Sequence, residues 1–171
     1  MPISRTASLL VVVALALPFA AGCGTKVEDC NKVIGAHNAH VTEANALTMD
    51  KAEDLDKLAG ILDKTSTDIA ALDVKDEGVK TRAKTLADLE KKTATAVRDA
   101  SASTKQMMTL ADKAKAVPTD AADALDQLKK ITDDIDKAGA DAKTKTDAMS
   151  AASEAKDKGW QEFQQYCEVT K

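Results

Sequence analysis

Apolar side chains recur three and four residues apart along most of the chain after residue 26, which is the spacing of one face of an α-helix. The first of three such runs loses its apolar residues at Thr48 and Lys51. Only 2% of the residues are aromatic and only 7 are Gly, so the chain lacks the residues that build a β-sandwich or a membrane barrel. The pattern predicts an all-α protein. The three runs cover residues 27–72, 79–117 and 121–166.

Three interruptions predict where the helices end. Residues 73–78 form a polar stretch, and Pro118 is followed by Thr119, a residue that caps helices. Asp50 followed by Glu53 resembles a capping box that would begin a new helix near residue 50. We therefore predict an elongated antiparallel helical bundle or coiled coil with two short and two long helices, and a three-helix rod is the alternative. The four helices are expected near residues 27–47, 50–72, 76–116 and 120–167.

The chain begins with the features of a secretory signal. Arg5 precedes an uncharged apolar run at residues 9–17, which is too short to span a bilayer, and Pro18 ends that run. The next residues, Ala-Ala-Gly-Cys at 20–23, resemble the lipobox of bacterial lipoproteins. The resemblance implies cleavage before Cys23, attachment of diacylglycerol to its sulfur, and acylation of the new amino terminus.

The lipobox resemblance also implies where the protein resides and how it is divided. Two or three acyl chains anchor a protein stably in a membrane. Residue 24 is Gly and not Asp, which under the lipoprotein sorting rule implies the outer membrane. The expected parts are a cleaved signal peptide at 1–22, a lipidated tether at 23–26, and one helical domain at 27–171.

A wider pattern of short segments resembles small uncharacterised helical lipoproteins of myxobacterial type. This resemblance implies a helical fold and no particular activity. The segments are the lipobox cysteine, Cys-Asn-Lys-Val-Ile at 30–34, Leu-Asp-Lys-Leu-Ala at 55–59, Ala-Ala-Leu-Asp-Val at 70–74 and Gln-Gln-Tyr-Cys at 164–167.

The cysteine count bears on the number of helices. If Cys23 carries lipid, Cys30 and Cys167 remain, and an even remainder in an exported protein indicates one disulfide. Two free thiols or a bridge between chains are the alternatives. A helix of about 45 residues is about 68 Å long, whereas the Cα atoms of a disulfide lie within about 7 Å. An intrachain bridge therefore requires an even number of helices, and a three-helix rod excludes it.

Few residues point to chemistry. His37 and His40 lie one helical turn apart and would bind a metal only if a third ligand approached, and a packing role for His37 is the alternative. Neither a metal nor another cofactor is predicted. There is no phosphate-binding glycine loop, nucleophile elbow or zinc-protease motif, so an enzyme is not expected. A net charge of -4 argues against binding of nucleic acid.

The predicted bundle leaves one end thinly covered. Two short helices would cover only the half of the long helices next to the membrane. An exposed apolar surface on the other half would mark a contact with an envelope protein or with a second copy. The leading hypothesis is a lipid-anchored protein with a structural or interaction role. A binding module for a metal or small apolar ligand, and a stress protectant rich in Ala, Lys and Asp, are the alternatives. The residues of the expected surface are Met107, Met108, Leu110, Leu128 and Ile131.

Overall fold

The computed structural model describes residues 24–49, 51–118 and 123–168, and within them four helices and no strand. The predicted signal peptide, Cys23, Asp50 and Thr119 lie outside the described residues. The all-α prediction is confirmed, with two short and two long helices. The three-helix alternative is wrong because one helix ends at Asn45 and a separate helix begins at Ala52. The helices are α1 at Thr25–Asn45, α2 at Ala52–Ala70, α3 at Glu77–Lys115 and α4 at Ala124–Glu168.

The two long helices form an antiparallel hairpin. The Thr93 hydroxyl donates to the Ala152 carbonyl oxygen at 3.2 Å, and the Ser103 hydroxyl donates to Asp141 at 2.8 Å. These two contacts show that α3 and α4 run in opposite directions. The 39 residues of α3 extend about 59 Å. Lys113 and Lys115 in the last turn of α3 complement the negative end of its dipole.

The short helices pack beside only part of this hairpin. On α2, Ser66 donates to the Ala87 carbonyl oxygen at 2.8 Å, while Ser101 of α3 donates to the Ala52 carbonyl oxygen at 3.0 Å. The first residue of α2 therefore lies level with Ser101. Beyond that level, residues 102–118 and 123–141 form a two-helix segment that we call the distal hairpin.

The connection between α1 and α2 is extended. His40 of α1 lies 2.7 Å from Asp68 near the end of α2, so α1 pairs with the second half of α2. The loop therefore continues in the direction of α1 along the first half of α2 to reach the start of that helix, and Leu47 and Met49 pack there against apolar side chains. Met49 adopts a φ of 59°, in the left-handed region.

The start of α2 differs from the predicted capping box. Its N-cap residue is Lys51, and no side chain caps the first turn. The Thr48 hydroxyl instead donates to Asp54 at 3.0 Å, which ties the loop to the first turn from outside the helix.

A disulfide joins the second turn of α1 to the last turn of α4. Cys30 and Cys167 are 137 residues apart in sequence, and their Cα atoms are 6.1 Å apart. The even number of helices makes this possible because it returns the chain to the end where it began. The end of α4 therefore lies beside the start of α1.

The buried apolar side chains form two clusters along the long axis. The first surrounds the disulfide and includes Trp160 and Phe163, whose rings meet edge to face with centroids 5.8 Å apart. The second lies farther along the bundle, where α2 packs on α3. None of the helices in the described ranges is long and apolar enough to cross a membrane. The buried members of the second cluster are Leu58, Ala59, Leu62, Ala94 and Val97.

Candidate functional site

A buried acidic residue lies between the two apolar clusters. Glu90 on α3 has 0% of its surface exposed. It follows Leu86 by four residues and precedes Thr93 by three, so the helix places it on the same inward face as these two buried residues. Its Oε1 accepts a hydrogen bond from Nε1 of Trp160 at 2.8 Å, which links α3 to α4.

Two basic side chains from other helices lie in the same layer. The ring of His37 on α1 packs on Trp160 with centroids 4.1 Å apart, and its Nδ1 lies 3.6 Å from Glu90 Oε1, beyond hydrogen-bond distance. Lys156 on α4 is only 4% exposed, and its Nζ lies 3.4 Å from Asp157. Three helices thus each bring one titratable side chain to this polar layer.

The polar layer lines a cavity of about 40 Å³, and side chains from all four helices form its wall. Two buried atoms in the layer, Glu90 Oε2 and His37 Nδ1, have no hydrogen-bond partner among the described residues. Buried polar atoms in folded proteins are almost always hydrogen-bonded to protein, water or ligand. The cavity is therefore suited to hold a polar group. Its apolar wall is formed by Val41, Ala44, Met49, Leu58, Ile61 and Leu62.

The two histidines considered as metal ligands both line the cavity but have different polar partners. His40 pairs with Asp68 on the outside of the bundle, whereas His37 faces Glu90 and Trp160. No group of three His, Cys, Asp or Glu side chains in the described part of the chain could hold a metal ion. One turn of spacing therefore brings both histidines to the lining of one cavity without making them part of a group that could hold a metal.

The expected contact surface is exposed in part. On the distal hairpin, Met108 is 58% exposed, Met107 and Leu128 are also exposed, and Ile131 is half-buried. Leu110 corrects the expectation, because it is buried. It lies where only α3 and α4 run side by side, so it fills the space between these two helices.

One exposed residue of the distal hairpin was not predicted from the sequence. Leu125 is 83% exposed, the most exposed large apolar side chain of the described residues. Leu125 was not among the residues expected at this surface. The sequence did offer a signal for this exposure. Leu125 precedes Leu128 by three residues, and residues three apart share a helix face.

The two helices of the distal hairpin carry opposite charges. Residues 102–118 contain three lysines and one aspartate, whereas residues 123–141 contain six aspartates and three lysines. The α3 side is therefore basic and the α4 side acidic.

The cavity residues were also not predicted, for a physical reason. An isolated Glu within a Lys-rich helix such as Glu90 is normally solvated, and its burial is set by partners from other helices. The one sequence signal for its burial was its position between Leu86 and Thr93 on the inward face of the helix. Trp160 packs in the first apolar cluster, and its hydrogen bond to Glu90 could not be anticipated from the sequence.

Residues 139–159 are rich in Ala, Lys and Asp, the composition on which the protectant alternative depends, and they are helical as part of α4. Ser153 and Lys156 within it are buried, and the Ala152 carbonyl oxygen accepts the hydrogen bond from Thr93. This part of α4 therefore packs against α3.

Comparison of the chain with protein-family models, with curated proteins and with solved structures finds no significant match.

Proposed function

We propose that this chain is a lipid-anchored envelope protein with a structural role, and that its distal hairpin pairs with the distal hairpin of a second copy. The observation that carries the proposal is the change in helical cover along the molecule. Four helices pack together near the disulfide, and only two continue beyond Ser101. The exposed apolar side chains lie on the two-helix part.

The anchor follows from the lipobox resemblance. α1 begins at Thr25, two residues after the cysteine proposed to carry lipid. The disulfide holds the end of α4 at the same end of the molecule. A protein anchored in this way would present the distal hairpin away from the membrane.

A second copy suits the distal hairpin in shape. Helices bury their apolar stripe against another element, and the half of the long helices near the disulfide does so against α1 and α2. Two helices from a second copy would supply the same cover to Met107, Met108 and Leu128.

A second copy also suits the hairpin in charge. In a dimer whose two-fold axis runs parallel to the long helices, the basic α3 side of one chain lies against the acidic α4 side of the other. The charge asymmetry of the distal hairpin is therefore complementary to itself. Such a contact weakens with ionic strength because salt screens exposed charges.

The test is crosslinking of the full-length protein in intact cells. Met107→Asp combined with Leu128→Asp places charges on the apolar surface, and we expect the crosslinked dimer to be lost. Ala39→Asp combined with Ala70→Asp is the matched control, because both alanines are exposed on the half near the disulfide. We expect this control to crosslink like the wild type.

A dimer that persists in the Met107→Asp, Leu128→Asp protein, or a wild type that never crosslinks, contradicts the pairing. Cys23→Ser tests the anchor separately. We expect it to release the protein from the membrane fraction and to prevent labelling with a radioactive fatty acid.

A further inference from the structure

We infer that the cavity of the polar layer binds a small neutral molecule that carries a hydroxyl group on a short, unbranched alkyl chain. This site lies on the half of the molecule near the disulfide, and the inference does not depend on dimer formation.

The hydrogen-bonding groups favour a hydroxyl. Oε1 of Glu90 is already used by Trp160, so Oε2 is the acceptor that remains. Nδ1 of His37 also lacks a partner in the described chain, and it donates or accepts according to its tautomer. A hydroxyl both donates and accepts, so it can satisfy Oε2 and Nδ1 together.

The charges favour a neutral ligand. Glu90 and Lys156 line the same cavity and have opposite formal charges. An alkylammonium would add a second positive charge beside Lys156, and an alkylcarboxylate would add a second negative charge beside Glu90. Burying an uncompensated charge is unfavourable, so both should bind more weakly than the alcohol.

The size and shape favour a linear chain. A space of 40 Å³ holds about three waters, whereas a cavity that accepts benzene measures about 150 Å³. A ring is therefore excluded from the inner part. Ala44 and Met49 are half-buried, so the wall continues towards solvent between α1 and α2 and leaves a path for an alkyl chain.

The left-handed backbone of Met49 lies at this opening. A non-glycine residue with positive φ is strained and is retained where the surrounding structure requires it. Here it directs the Met49 side chain to the cavity wall and to the second apolar cluster.

The chain carries its own reporter for binding. Trp160 is the single tryptophan of the sequence, and it contacts both Glu90 and His37. Its fluorescence therefore responds to a change in the polar layer without an added label.

The experiment titrates 1-hexanol, hexylammonium and hexanoate into the full-length protein with its disulfide formed, and follows Trp160 emission. We expect a saturable change with 1-hexanol. The two charged probes should bind about tenfold more weakly or not at all, which corresponds to a difference of about 1.4 kcal/mol.

Two variants locate the site. Ala44→Leu fills the opening, and we expect it to weaken 1-hexanol binding about tenfold or more. Ala39→Leu adds the same side chain at an exposed position of α1 and should leave binding unchanged. Glu90→Gln removes the negative charge from the cavity lining, so we expect hexanoate to bind this variant better than it binds the wild type.

Three results would overturn the inference. Emission that fails to saturate with 1-hexanol means that the cavity holds water alone. Tighter binding of hexylammonium than of 1-hexanol contradicts a neutral ligand. Unchanged binding in Ala44→Leu puts the alcohol elsewhere. The dimer crosslink of Ala44→Leu should match the wild type, which separates this test from that of the proposed function.

Discussion

Asp29 shows how one buried side chain connects distant parts of the chain. It has 0% of its surface exposed, and its Oδ2 accepts the backbone amides of Lys75 and Asp76 at 2.7 and 2.8 Å. Lys32 donates to its Oδ1 at 3.0 Å. These donors, the Asp76 amide above all, lower the pKa of Asp29. The α2–α3 loop is thereby tied to α1 by hydrogen bonds to a charged carboxylate.

This geometry makes the contribution of Asp29 dependent on pH. Because its pKa is lower in the folded than in the unfolded chain, its stabilisation is complete above the unfolded value of about 3.9 and is lost as pH falls through the folded value. We expect Asp29→Asn to lower the melting temperature by several degrees at neutral pH. The difference from wild type should shrink below about pH 4, as followed by circular dichroism.

Asp73→Asn is the control for this prediction, because Asp73 is an exposed acid of the same loop. It should melt like the wild type at every pH. A difference between Asp29→Asn and wild type that stays constant with pH would show that the charge of Asp29 is not what stabilises the loop.

At the scale of the helices, two glycines with opposite surroundings allow a matched comparison. A Cβ at Gly139 in α4 would meet no atom within 4 Å. A Cβ at Gly78 in α3 would overlap the Tyr166 hydroxyl. The Tyr166 ring has little room to move, because Lys26 Nζ and Arg82 Cζ lie 3.8 and 3.7 Å from its centroid.

We therefore expect alanine to act in opposite directions at these positions. Gly139→Ala should raise the free energy of unfolding by about 1 kcal/mol, since Ala is the better helix former. Gly78→Ala should lower it by about 1–3 kcal/mol, since overpacking displaces neighbours. Guanidinium denaturation of the two variants measures both values. A stabilised Gly78→Ala protein would mean that Tyr166 moves aside easily.

At the scale of the whole molecule, the disulfide closes nearly the entire described chain into one loop. In the chain-entropy account, a closure over 137 residues stabilises the folded state by about 4–5 kcal/mol. We expect reduction with dithiothreitol to lower the free energy of unfolding by that amount, measured by guanidinium denaturation.

Because Cys30 is buried, its replacement would also change packing. The reduced wild type is therefore the primary sample, and a Cys30→Ala, Cys167→Ala protein is the comparison. The comparison protein should be at least as destabilised as the reduced wild type. Equal stability of the oxidised and reduced wild type would show that the bridge contributes nothing to folding.

The helices were predictable to within a few residues because their signals are local. The third helix was expected at residues 76–116 and runs over Glu77–Lys115, with Asp76 as its N-cap and Pro118 just beyond its end. Two short and two long helices followed from the loss of apolar residues at Thr48 and Lys51.

The contacts that decide the candidate sites were not local and could not be predicted. Glu90 and Trp160 are hydrogen-bonded although they are 70 residues apart in sequence, and Asp29 and Asp76 although they are 47 residues apart. Leu110 was expected at the surface, but the close approach of α3 and α4 buries it. A heptad pattern predicts which face of a helix is apolar. It does not predict which polar residue on that helix the neighbouring helices bury.

By itself, then, the sequence determined the helical class, the helix ends, the parity that permits the disulfide, and the resemblance at residues 20–23. Those features depend on spacing and on residues close together in the chain. Only the tertiary structure decided that α1 pairs with the second half of α2, that a polar layer with a cavity separates two apolar clusters, and that Leu125 faces solvent. These features depend on how the four helices are rotated and shifted relative to one another. That arrangement is determined jointly by side chains that are distant in sequence.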